Sequence, residues 1–245
     1  MKLFKRKKQD IVDYAGPNND DNYKGFKELR NVKKTIIITS LILAVIASLT
    51  IFFTCFLIDK DYETIDNYLN LPYPIQTDAE GQFTDKVDDY NVYYTIKANY
   101  SISAKVVEKK YYFPYKISNK LSRYDLGLVF GKLLDESLLS EITFKNTGHR
   151  SLQTTYFSSL PAKVGGNVGL YFSNTHVIHA NDNVLKCLRN IKEGDYVKLD
   201  GYLVYVTYKN GKGTGTWNSS LTRTDRGDGA CEVMYVKSVT WIKEK

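Results

Sequence analysis

Cys231, His176 and His179 are the residues of this chain whose types could carry covalent chemistry. A cysteine attacks as its thiolate, and an imidazole beside it takes up or returns the proton. Arg223 and Arg226 stand just before Cys231 in the run SSLTRTDRGDGACE, residues 219–232, and either could stabilise an oxyanion. On that pattern the residues make a cysteine-dependent hydrolase or transpeptidase, with Cys231 as nucleophile and His176 or His179 as base. A plainer reading of the same residues is a buried cysteine entering a strand, with Asp225, Asp228 and the glycines forming a tight turn. The two histidines would face one metal if they lay on a helix. They precede a helix cap, so an extended segment is expected, and residues three apart then point to opposite faces. Asp182 and Asp195 are the remaining ligand candidates, and neither a metal nor a cofactor is expected.

The elements that would hold these residues are mostly strands. From 92 to 106 the even positions read Val, Tyr, Ile, Ala, Tyr, Ile, Ala, Val and the odd ones are mainly polar. Alternation of this length predicts a half-buried strand. Tyr111–Phe113 suggests a partner strand ended by Pro114. Ser122 to Asp125 has the spacing of a capping box, and Leu126, Val129, Phe130, Leu133 and Leu134 fall on one helical face behind it, so a helix is expected there. Short strands are expected at 142–144, 154–157 and 168–172. A second helix is expected at 182–190, capped by Asn181 or Asp182, with Cys187 beside its apolar stripe. Residues 196–206 read as a strand bent at Gly201, followed by strands at 216–222 and 231–241. A Cys187–Cys231 bridge is left open, because spacing does not give bridge geometry.

Thr35 to Ile58 is a run without charge, long enough as a helix (about 36 Å) to cross a hydrocarbon core of about 30 Å. Residues 1–34 carry ten Lys or Arg against five acids, and this tail holds +5 of the chain's +7. The positive-inside rule then leaves 1–34 in the cytoplasm and exports 59–245. The basic excess therefore reads as a topology and anionic-lipid signal, and nucleic acid is not an expected partner. The expected organisation is a basic tail (1–34), a span (35–58), a polar stalk (59–90) and an exported domain (91–245). The fold class is mainly β with minor α, a transmembrane helix plus a small OB-like barrel.

The runs SNTHVIHAN, GDYVKLDGYLV and SSLTRTDRGDGACEVMYV resemble a family of uncharacterised bacterial inner-membrane proteins with one amino-terminal anchor. The likeness covers roughly residues 100–240, and it departs at Val129-Phe130-Gly131, where the family has Trp between two glycines, and at His179, where it has Pro. It implies a single-pass protein of the bacterial envelope and no particular activity. A looser likeness is to sortase-type transpeptidases, which are anchored barrels with a His, a Gly-Asp strand and a Cys in that order. Here the order is His176 or His179, Gly194-Asp195, Cys231.

On sequence alone the favoured function is an envelope binding or scaffold module with a protein partner. Its surfaces would be the His176–Asn181 loop and the turn containing Arg226, Asp228 and Glu232. The cysteine enzyme is the alternative from another class, and a scaffold worked by the basic tail is a third.

Overall fold

The alternating run centred on residue 100 is the longest strand of the protein and the spine of its main sheet. The structure is a computed structural model that describes residues 19–56, 60–222, 224 and 230–245. In chain order it contains helix α1 (Asn19–Phe56), strands β1 (Tyr62–Ile65), β2 (Ile75–Val87) and β3 (Tyr90–Tyr111), helix α2 (Ile117–Leu121) and strand β4 (Tyr124–Val129). There follow α3 (Glu136–Leu139), β5 (Ile142–Asn146), β6 (Leu152–Tyr156), α4 (Leu160–Val164) and β7 (Phe172–His179). The chain ends with α5 (Asp182–Asn190), β8 (Tyr196–Asn210), β9 (Gly213–Asn218) and β10 (Glu232–Glu244). The architecture is mainly β.

Residues 1–57 and 58–245 are separate compact units. In the first, α1 begins well before the expected Thr35, because Lys, Leu, Glu and Arg upstream of it are good helix formers. Its segment Lys27–Ile51 has a mean hydropathy of 2.1 and none of it is buried, so among the described residues one helix is long and apolar enough to cross a membrane.

In the second unit the strands pair in the order β1-β10-β7-β4-β3-β8-β9, with β2 on β3 and a further pairing of β10 with β8. β10 runs parallel to β7 from Glu232 opposite Thr175 to Val236 opposite His179, and antiparallel to β8 from Met234 opposite Leu203 onward. β5 and β6 form a separate two-stranded sheet. On β3 the even residues Val92, Tyr94, Ala98, Tyr100, Ile102, Ala104 and Val106 are buried. Helix α5 lies where its sequence placed it, and its Val184, Leu185 and Leu188, with Ile191 behind them, join the cluster of Ile102, Leu126, Val197 and Trp241. A second cluster gathers Val129, Leu133, Leu134, Ile142, Leu160 and Val164 beneath the β5–β6 sheet.

Four expectations are corrected. Residues 59–90 are not a free stalk: β1 pairs with β10, and β2 pairs with β3 from Ile75 opposite Ser101 to Val87 opposite Tyr90. β2 is an edge strand with almost no buried residue, so its sequence lacks the alternation that marks a strand. The helix expected at 122–134 is strand β4 followed by a 3-10 turn at Gly131–Leu134. All six β4 residues are buried, and a strand covered on both faces shows no period of two. Tyr111 ends β3, and no separate partner strand follows it; residues 168–171 are likewise a 3-10 turn ahead of β7.

Gly201 does mark an irregularity, but the bulge falls on the facing strand, between Val236 and Ser238. A Cβ at 201 would lie 2.0 Å from Tyr235 O and 3.2 Å from Val236 Cα. Gly201→Ala is therefore expected to destabilise the fold by about 1–3 kcal/mol through overpacking. Thermal unfolding checks this, and an unchanged midpoint would mean that β10 moves aside at little cost.

Candidate functional site

Three neighbouring strands bring together a carboxylate, an imidazole and a thiol. Asp125 on β4 stands directly opposite His176 on β7, and directly opposed residues share one face of a sheet. β10 flanks β7 on its other side and begins at Glu232 opposite Thr175. That register puts Cys231 beside Asn174, two residues before His176 and on the same face.

The polar contacts follow from this placement. His176 Nδ1 lies 2.9 Å from Asp125 Oδ1, with 4 % and 0 % of the two side chains exposed. The contact is bent from the ring's N–H direction, a misalignment common in catalytic hydrogen bonds outside the Michaelis complex. The Cys231 side chain is close enough to act on the His176 ring. Asn174 Nδ2 donates to Cys231 Sγ at 3.3 Å and to Arg150 O at 2.9 Å. The groups thus form a chain rather than converging on a point. Among the described residues no cluster of three or more His, Cys, Asp or Glu is arranged to hold a metal ion.

A carboxylate as buried as Asp125 needs a compensating charge. Arg150 supplies it: Nη1 donates to Asp125 Oδ1 at 2.8 Å. The guanidinium is itself pinned by Asn119 Oδ1 and by the carbonyls of Ser118 and Ser122. It lies 4.2 Å from the Tyr112 ring centroid and 4.8 Å from that of Trp217. Trp217 also packs against the imidazole, with ring centroids 4.7 Å apart. The array opens on a cleft of about 680 Å³ whose walls include Thr154, Tyr156, Asn167, Trp217, Thr222 and Cys231.

Burial alone would pull His176 down, but the neighbouring Asp125 and then Cys231 outweigh it and push the imidazole up to about 9. A group whose folded value lies above its unfolded one, about 6.5, stabilises the fold fully below 6.5, and that contribution is lost as pH rises through 9. The denaturation midpoint is therefore expected to fall between pH 6.5 and 9, and the fall to flatten in His176→Gln. An identical pH dependence in the variant would remove His176 as its source.

Of the residues expected from sequence, Cys231 and His176 come together. His179, at the other end of the odd step along β7, does not join them; burial first, and then the nearby Arg123, lower it. Asn181, expected as a binding residue, caps α5 by accepting from Val184 N–H at 3.0 Å. Glu232 is 5 % exposed at the start of β10 and lines the same cleft. Arg223, Arg226 and Asp228 lie outside the described residues. Asp195, weighed as a metal ligand, accepts from Lys192 N–H and Trp241 Nε1–H, and Asp182 is an exposed first-turn residue of α5. Cys187 and Cys231 are both free thiols; Cys187 packs on the main core and burial pushes it up.

Sequence reasoning missed Asp125, Arg150, Asn174 and Trp217 as members of the site. Asp125 carried a usable signal, since it is the one charge in Tyr124–Val129. Arg150 carried none, because its loop has no pattern. Comparison with protein-family models, with curated proteins and with solved structures finds no match to this chain.

Proposed function

We propose that the protein is a membrane-anchored cysteine enzyme of acyl transfer, with Cys231 as nucleophile, His176 as proton carrier and Asp125 as the group that orients and charges the imidazole. The placement of Asp125 against His176, with His176 and Cys231 both lining one cleft, carries this reading. The pair works as thiolate and imidazolium. The sulfur attacks a substrate carbonyl carbon, and Asn174 Nδ2, already donating to sulfur, stands beside the developing negative charge. His176 gives its proton to the departing amine or alcohol, leaving a thioester on Cys231. Water or an amine then attacks that thioester, His176 takes the proton back, and the thiolate leaves.

The unit that carries the site is proposed as a small OB-like barrel outside a bacterial cytoplasm, with α1 spanning the membrane and its basic end inside. Count β3, β4, β7, β8 and β10 as first to fifth. Each pairs with the next in the order first, second, third, fifth, fourth and back to first. The parallel contact joins third and fifth, and α5 connects third to fourth. The charge asymmetry around the apolar segment supports the orientation, and the resemblance to anchored envelope proteins supports the compartment. The binding-module reading has less to stand on, since Asn181 is used in capping and Glu232 is buried.

The test is a burst assay on the full chain in detergent with p-nitrophenyl acetate. The expected result is one fast release of nitrophenol per chain, with an acetyl group on Cys231, lost in Cys231→Ala and slowed in His176→Ala. A burst indifferent to both substitutions, or none at all, would end the proposal.

A further inference from the structure

The cleft over Cys231 is flanked by the outer edges of β9 and β6, which pair with no further strand among the described residues, although just past β9 Ser220 N–H donates to Cys231 O. β9 pairs with β8 alone, and β6 with β5 alone. In an antiparallel pair, alternate residues turn their backbone N–H and C=O to the partner strand and the residues between turn theirs away. Ser219 N–H donates to Val204 O, so with the β8–β9 register Trp217 and Gly215 also face β8, and Thr216 and Asn218 face outward. Phe157 N–H donates to Glu141 O and Ser151 O accepts from Thr147 N–H. On β6, therefore, Thr155 and Gln153 face β5, while Leu152, Thr154 and Tyr156 face outward. The outward-facing Thr216, Asn218, Leu152, Thr154 and Tyr156 all line the cleft, and Trp217 joins them there.

Building on the acyl-transfer reading, we propose that the substrate is a polypeptide in extended conformation, held by main-chain hydrogen bonds to the outer edges of β9 and β6 so that a carbonyl reaches Cys231. An unpaired edge offers donors and acceptors at the spacing of another strand, and a strand added there is bound through its backbone. The charged groups at the cleft agree with a neutral backbone as ligand. Arg150 is committed to Asp125 and to carbonyls, Glu232 is buried, and apart from His149 and His176 the rest of the described wall is uncharged.

The probe is the chloromethyl ketone of N-acetyl-trialanine, compared with chloroacetone, which carries the same electrophile without a peptide, on the full chain in detergent. The peptide reagent is expected to label Cys231 about tenfold faster or more, with saturation. The ratio of the two rates is expected to drop about fivefold, the worth of one hydrogen bond, when the peptide nitrogens are methylated. It is expected to drop similarly in Thr216→Pro or Thr154→Pro, which remove an outward N–H where an edge strand tolerates proline. The methylated probe asks the same question without altering the protein. Equal rates for the two reagents, or an advantage that survives both methylation and the proline variants, would overturn peptide pairing. If chloroacetone labelling still depends on His176 in that case, the acyl-transfer reading stands without it. Labelling indifferent to His176→Ala would bring down both.

Discussion

Replacing His176 with Ala is expected to slow alkylation of Cys231 by iodoacetamide about tenfold or more at pH 6. An imidazole held up to about 9 is protonated at that pH, and a nearby imidazolium is the partner that activates a cysteine nucleophile. The measurement is the rate of label incorporation at Cys231, located by peptide mapping, in a Cys187→Ala background. Equal rates at pH 6 would mean that His176 does not govern the sulfur.

Asp125→Ala is expected to cost about 3 kcal/mol or more of stability, the typical result of leaving half of a buried ion pair behind. For a unit of this size that corresponds to a drop in Tm of roughly 6–12 °C. The carboxylate is fully buried and Arg150 is 17 % exposed in its side chain, so solvent cannot replace the lost partner. The remaining acceptors, Asn119 Oδ1 and two backbone carbonyls, satisfy donors without balancing the charge. A second change, Arg150→Met, should restore part of the loss, and thermal unfolding of the single and double variants measures the coupling. If the single variant melts within a degree or so of the parent, the Asp125–Arg150 pair is not a structural element of the site.

What the sequence made legible depended on one-sided burial. β3 shows its alternation because one face is core and the other is not, and α5 shows its stripe and its Asn181 cap for the same reason. β4 was mistaken for a helix because both of its faces are covered, and β2 for a stalk because neither is. The site followed the same division. Cys231 and His176 could be singled out by residue type, and the odd spacing on an extended segment argued that His176 and His179 would part company. Their union with Asp125 depended on strand neighbours separated by about 50 residues or more. Reading Ser122–Asp125 as a helix cap hid the one acid that mattered. Arg150 reaches the site from a loop with a left-handed backbone, φ +58, which no periodicity announces.

The most direct measurement of the account is an NMR titration of His176. The chain has three histidines, so its ring signals can be assigned by single substitution. The account predicts that His176 titrates near 9 and that Cys231→Ala moves it downward, because the neighbouring Cys231 helps to hold the proton. A ring that titrates at or below about 6.5, and does so whether or not Cys231 is present, would contradict the coupling of imidazole and thiol on which the proposed chemistry rests.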